Sequence, residues 1–143
     1  GVGGWGYHAS RGPLNRAYMR YADNLLMQAE ACLALGQEAE ATQYINQVRA
    51  RVGLPAIGNY TFQINGVTIN QPTLEQCLRH ERRMELAFEG HRWFDMIRVQ
   101  GGEYAVNFLH SIGKTNANLN RLIFPIPQTE RDANPLIEQN PGY

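Results

Sequence analysis

AEACLALGQEAEATQYINQVRAR, residues 29–51, carries the spacing on which the fold turns. Ala29, Cys32 and Leu33 continue a three-and-four recurrence begun by Tyr18, Ala22, Leu25 and Leu26, the signature of an amphipathic helix. Gly36 stops that helix. Ala41, Tyr44, Ile45, Val48 and Val52 then fall on one face of a second helix, closed by Gly53 and Pro55 in the order expected of a helix C-terminus. Two helices joined by only two or three residues must run antiparallel.

Small residues at Ala29, Gly36 and Ala41, with Tyr44 behind them, match the close-packing positions of a tetratricopeptide unit. One such unit cannot bury both of its faces alone, so neighbouring repeats or a cap are expected beside it.

Working outward, residues 1–15 are Gly-rich and aperiodic, with Trp5, Tyr7 and His8 among them, and read as loop. Beyond the helix pair, Tyr60, Phe62 and Ile64 precede Asn65-Gly66, and Val67 and Ile69 follow. Asn-Gly between alternating apolar residues signals a two-residue hairpin turn, because both positions require positive φ. Thr73 with Gln76 three residues on forms a capping-box pattern at the start of a third helix. Its charged and apolar residues continue to roughly Val99, with a bend at Gly90, and Gly101-Gly102 ends it. A short helix is expected around Ala105–Leu109. The four prolines after Leu122 leave the tail irregular apart from one turn capped by Thr129, and its apolar residues suggest a segment pinned across a core.

The expected class is therefore mostly α: a tetratricopeptide-like helix pair packed with a further long helix, one small β-hairpin and a proline-rich irregular tail. The chain is read as a single domain, with a loop-rich start (1–15), the helix pair (16–54) and a C-terminal subdomain (55–143).

Composition excludes some functions. Thirteen basic residues offset thirteen acidic ones, without the basic surplus that nucleic-acid binding demands. No apolar run approaches the ~20 residues that span a bilayer. The chain does not begin with Met and carries no signal-peptide pattern, so it reads as a processed chain or a fragment. Cys32 and Cys77 sit among apolar residues and read as buried free thiols, with no zinc-type spacing.

The third helix holds the most chemistry. Leu74, Cys77, Leu78, Met84 and Phe88 share an arc with Glu81 and Glu85. Carboxylates on an apolar face need partners, and arginines abound nearby. An acid/base pair for glycoside hydrolysis would need two carboxyls flanking a bond, one with a raised pKa. Residues four apart on one helix stand side by side instead, so a structural ion-pair network is the expected role. His80-Glu81 does not complete H-E-x-x-H, since Met84 occupies the fifth position. No metal site, nucleophile elbow or phosphate loop is present in the pattern, and no cofactor is expected.

RYADNLLMQAEA (20–31), INQVRARVGLP (45–55), ERRMELAFEGHRWFDMIR (81–98) and FPIPQTERDANP with QNPGY (124–143) together resemble the C-terminal part of the SusD/RagB family. The resemblance implies a largely helical, non-enzymatic, lipid-anchored protein of the bacterial outer surface. Such proteins capture glycan oligosaccharides for a SusC-type TonB-dependent transporter. It also implies that the lipid anchor and earlier repeats lie outside this chain. Under it, Glu81, Arg82, Arg83, Glu85, Glu89, Arg92 and Asp95 form a scaffolding ion-pair network. Sugar sites combine flat aromatic faces with amide or hydroxyl groups. Trp5, Tyr7, His8 and Tyr60 are the candidate glycan contacts, with Tyr104 a further loop aromatic and Asn59, Asn65, Asn116 and Asn118 the candidate polar partners. Trp5 and Tyr7 could instead be core anchors, and Trp93 reads as structural. The alternative reading is a helical-repeat interaction scaffold with no sugar site of its own.

Overall fold

The computed structural model describes residues 18–58, 61–64 and 66–143, and the chain divides into two compact units, residues 1–57 and 58–143.

The first unit is the helix pair. Helix α1 spans Tyr21–Ala34 and α2 spans Glu38–Arg51. Ala22, Leu25, Leu26 and Ala29 of α1 are buried, as are Ala41, Ile45 and Val48 of α2. Leu26, Ala29, Ala41 and Ile45 have no exposed surface at all. Two alanines at the buried seam leave room for the helices to approach closely, which is what the tetratricopeptide spacing requires. Gly36 has a different reason. Its φ is +74° and nothing lies within 4 Å of where a Cβ would stand, so it serves backbone conformation rather than close packing. The Gly36 amide donates to Leu33 O and the Gln37 amide to Cys32 O, the two bonds of a Schellman motif. The same pair recurs after α2, where Gly53 and Leu54 donate to Ala50 O and Arg49 O. Arg49, buried on α2, also donates from Nε to Pro55 O at 2.8 Å, and Asn46 Oδ1 accepts from the Ile57 amide at 2.7 Å. These bonds lay the segment after α2 back along the helix.

Two expectations for this unit are corrected. Tyr18 stands before α1 and is 87% exposed, and Val52 is the C-cap of α2 rather than part of its buried face. Both lie outside the regular helix, Tyr18 before its first turn and Val52 at the cap, where an extrapolated angle loses its meaning.

The second unit begins with a two-stranded antiparallel hairpin, β1 (Phe62–Ile64) and β2 (Val67–Ile69), in register Phe62 with Ile69 and Ile64 with Val67. An isolated hairpin is marginal in water, and this one is anchored. Phe62 is buried and its ring stacks on His80 with centroids 4.2 Å apart. His80 belongs to α3, Leu74–Glu85, whose capping box is complete: Thr73 Oγ1 accepts from the Gln76 amide, and Gln76 Oε1 accepts from the Thr73 amide.

The single long helix expected over 73–99 is two helices. α3 ends at Glu85, and α4 runs only Arg92–Ile97. Between them Phe88 and Gly90 both take left-handed φ, +65° and +86°, which no α-helix accommodates. The chain therefore turns at 86–91 instead of bending. The buried face of α3 is Cys77, Leu78, Glu81 and Arg82, followed by Leu86. Met84 falls at its edge, 53% exposed, and Phe88, displaced by the break, is fully exposed.

A short 3-10 turn (Val99–Gly102) leads into α5, Glu103–Ser111, longer than the helix expected at Ala105–Leu109. Three successive left-handed residues, Gln100, Gly101 and Gly102, make the corner. Gly102 is buried, and a Cβ there would stand 2.5 Å from Leu122 Cδ1 and 3.4 Å from Leu119 Cδ2. Those two leucines come from a second 3-10 turn, Leu119–Leu122, which crosses the corner. Helix α6, Gln128–Ala133, follows in the tail, with Pro127 rather than Thr129 at its N-cap.

The tail is pinned on itself rather than across a core, with Ile123, Phe124 and Leu136 exposed and side chains standing in for a strand. Gln139 Oε1 accepts from the Ile126 amide at 2.8 Å, and its Nε2 donates to Ile126 O at 3.0 Å. Asn140 Nδ2 donates to Phe124 O at 2.7 Å. With proline at 125 and 127, a regular ladder is impossible, and two amide side chains satisfy the backbone instead. Phe124 lies beside Trp93 of α4, ring centroids 6.3 Å apart.

Candidate functional site

Asp95, on the first turn of α4, is the hub of the charged cluster. Arg82 of α3 donates to it through both edges of the guanidinium, Nε to Oδ2 at 3.0 Å and Nη2 to Oδ1 at 3.0 Å. Arg98, one turn further on, adds Nη2 to Oδ1 at 3.1 Å. The Arg82 side chain is only 8% exposed and that of Asp95 15%, so the pair sits in a poorly solvated place where two parallel charge-assisted bonds count most. The break at 86–91 is what turns α4 so that residues 82 and 95 meet.

Other arginines of α3 and α4 meet aromatic rings. Tyr104 and Phe108, four apart on α5, present stacked rings to them. Arg79 lies 4.6 Å from the Tyr104 centroid while also pairing with Glu75, and Arg83 and Arg92 lie 5.7 Å and 4.8 Å from that of Phe108. Guanidinium over an aromatic face contributes ~0.5–1 kcal/mol where solvent reaches it. Tyr104 is thus a helix residue with an occupied ring, not a loop aromatic open to a ligand.

On the other side of α5 lies an open groove of about 500 Å³, lined by Val106, His110, Ala117, Asn118, Leu119, Asn120, Arg121 and Gly142. Its walls are fixed locally. His110 Nε2 donates to Ala117 O at 2.8 Å, tying the loop after α5 to the helix. Asn118 Oδ1 accepts from the Arg121 amide at 3.2 Å, capping the 3-10 turn. Gly142 lets the chain end pass against Asn120, where a Cβ would come within 3.0 Å of the Asn120 Cβ.

Of the residues singled out from sequence, Trp5, Tyr7, His8 and Tyr60 lie outside the described residues, as do Asn59 and Asn65. Glu81 is buried on α3, Glu85 is half-buried at its end, and Glu89 is exposed within the break. Asn118 does line the groove, though its carbonyl oxygen serves as a cap. His110, Asn120 and Arg121 were not picked out: nothing in their spacing brings a residue of α5, a 3-10 turn and the chain end to one place.

Both cysteines are free thiols; Cys77 is buried as expected, whereas Cys32 is only half-buried. Partial burial pushes the Cys32 thiol above its ordinary pKa, and Glu40, whose carboxylate lies 3.8 Å from its sulfur, adds to the shift. Among the described residues no group of three or more His, Cys, Asp or Glu could hold a metal ion, and no helix is long and apolar enough to cross a membrane.

Comparison with known proteins bears on this arrangement. Residues 6–143 match the model of the SusD family. The chain is similar to SusD-like protein P38 of Formosa agariphila, 35% identical over 130 residues, covering 90% of this chain and 25% of that protein. It is similar also to SusD-like protein P2 of the same organism, 35% identical over 129 residues, covering 87% of this chain and 25% of the relative. The chain spans about a quarter of the length of these relatives. No solved structure matches it significantly. The helix pair, the hairpin, the broken charged helix and the pinned tail all fall within the matched residues, and the chain belongs to the SusD family.

Proposed function

We propose that this chain is part of a non-catalytic glycan-capturing protein of the bacterial outer surface, lipid-anchored outside the present segment. It delivers oligosaccharide to a SusC-type TonB-dependent transporter. The observation that carries this reading is the family match over residues 6–143. The chemistry of the described residues is compatible with binding rather than turnover. Asp95 is held between Arg82 and Arg98, an arrangement that suits an anchor joining α3 to α4.

The test is affinity gel electrophoresis of the purified chain against a panel of plant, host and microbial polysaccharides, with Trp5→Ala and Tyr60→Ala beside it. Retardation by one polysaccharide without release of reducing ends supports capture, and loss in either variant assigns the contact. Release of reducing ends by pure protein would sink the non-catalytic reading.

One observation favours a second reading, a helical scaffold with no sugar site in this segment. Among the described residues the candidate stacking aromatic is Tyr104, and its ring is engaged by Arg79. That reading expects no retardation by any polysaccharide, together with stable association with the transporter.

A further inference from the structure

The groove beside α5 has a lining with a one-sided chemistry. Arg121 offers a guanidinium that makes no ion pair and no side-chain hydrogen bond among the described residues. Asn118 has its oxygen committed to the Arg121 amide, while its Nδ2 makes only a long 3.5 Å contact to Asn116 O, leaving donor capacity. The Asn120 amide adds a second donor. No Asp or Glu lines the groove. Val106 and Leu119 supply the apolar part of the wall.

A volume of about 500 Å³ lies within the ~300–1,000 Å³ range of small-molecule sites. The walls are also set in advance: the His110–Ala117 bond, the Asn118 cap and the Gly142–Asn120 approach are intramolecular and do not wait for a ligand. Preorganisation lowers the ordering cost of binding. Arg121, Asn118 and Asn120 bring three donor-bearing side chains to a largely apolar wall that no Asp or Glu lines, a combination that suits an acceptor-rich ligand bearing a carboxylate.

We propose that this groove binds a carboxylate-bearing saccharide, a uronate unit within an oligosaccharide, with Arg121 taking the carboxylate and Asn118 and Asn120 the ring hydroxyls. The inference rests on the glycan-capture reading and names the class of sugar. Carboxylate could equally come from a small free acid, so the experiment separates the two.

Titrate the purified chain with an oligogalacturonate, a neutral oligosaccharide of equal length, and acetate, following its amide and arginine side-chain resonances by NMR. The expected result is saturable shifts at Arg121, Asn118 and Val106 with the oligogalacturonate alone, about ten-fold weaker in Arg121→Gln and partly restored in Arg121→Lys. Arg121 is exposed, so neither variant threatens folding, and unchanged melting verifies this. Equal binding of the neutral sugar, or uronate binding that Arg121→Gln leaves intact, overturns this inference while glycan capture stands. Acetate matching the oligosaccharide in affinity overturns the saccharide assignment. Absence of binding by either saccharide overturns this inference, while the polysaccharide panel decides the glycan-capture reading separately.

Discussion

Replacing Asp95 by Asn takes one charge from between two arginines while barely changing the shape of the side chain. In the native structure Arg82 makes two 3.0 Å bonds to the carboxylate from a position where its side chain is 8% exposed. An asparagine can accept one of these bonds at Oδ1, but its Nδ2 then faces a guanidinium N–H, donor against donor. Removing one partner of a buried ion pair costs ~3–5 kcal/mol, because the other charge stays buried without compensation. Asp95 keeps 15% of its side-chain surface, so water reaches the site and the lower end applies, about 3 kcal/mol. For a domain of this size that corresponds to a fall in Tm of roughly 10 °C. The control is Arg98→Gln. Arg98 also bonds Asp95, at 3.1 Å, but its side chain is 44% exposed, and such pairs contribute under ~1 kcal/mol. A second control, Arg82→Met with Asp95→Leu, removes both charges and should recover much of the loss. Urea unfolding followed by far-UV circular dichroism measures all three. If Asp95→Asn unfolds within about 0.5 kcal/mol of the parent at unchanged m-value, or no more destabilised than Arg98→Gln, the pair does not hold α3 to α4 and the reasoning fails.

The corner before α5 gives a paired test: Gly102→Ala should cost several times more than Gly101→Ala. Both residues have positive φ, worth ~1 kcal/mol against alanine. Only at Gly102 does the new Cβ also meet Leu122 and Leu119, and overpacking adds ~1–3 kcal/mol; equal melting of the two variants would mean the leucines yield freely. At Cys32 the neutral thiol is favoured by the fold, so its contribution to stability is complete below the pKa of the unfolded thiol and is lost as pH rises through the higher native value. In a Cys77→Ala background, the pH profile of iodoacetamide alkylation should lie alkaline of a free thiol. Glu40→Gln should move it only part of the way back, burial being the larger cause; complete reversion would reverse that order.

Much of the fold is legible in local spacing. The buried stripe Ala22, Leu25, Leu26 and Ala29 and its counterpart Ala41, Ile45 and Val48 follow directly from helical periodicity. Asn65-Gly66 between β-formers, and Thr73 with Gln76, specify a turn and a cap through bonds spanning three or four residues. Interactions this short are set by the chain itself, whatever lies around it.

The candidate site was less legible. Sequence pointed to Arg82 and Asp95 as members of one charged cluster, but a continuous helix would have spread its charges along a single rod. Which arginine meets which carboxylate depended on the left-handed turn at Phe88 and Gly90 that brings α4 back to α3. The groove is more remote still, built from α5, a loop, a 3-10 turn and Gly142.

The sequence by itself determined the helix pair, the hairpin, the caps at Gly36, Gly53 and Thr73, and the family. Tertiary structure alone decided the break after Glu85, the pairing of Arg82 with Asp95, the engagement of Tyr104, the bridging of Ile126 by Gln139, and the groove. The physical reason is range. A helix or a two-residue turn is fixed by neighbours within about four positions. A contact across thirteen or more residues depends on the accumulated angles of every corner between them, and one left-handed residue redirects all that follow.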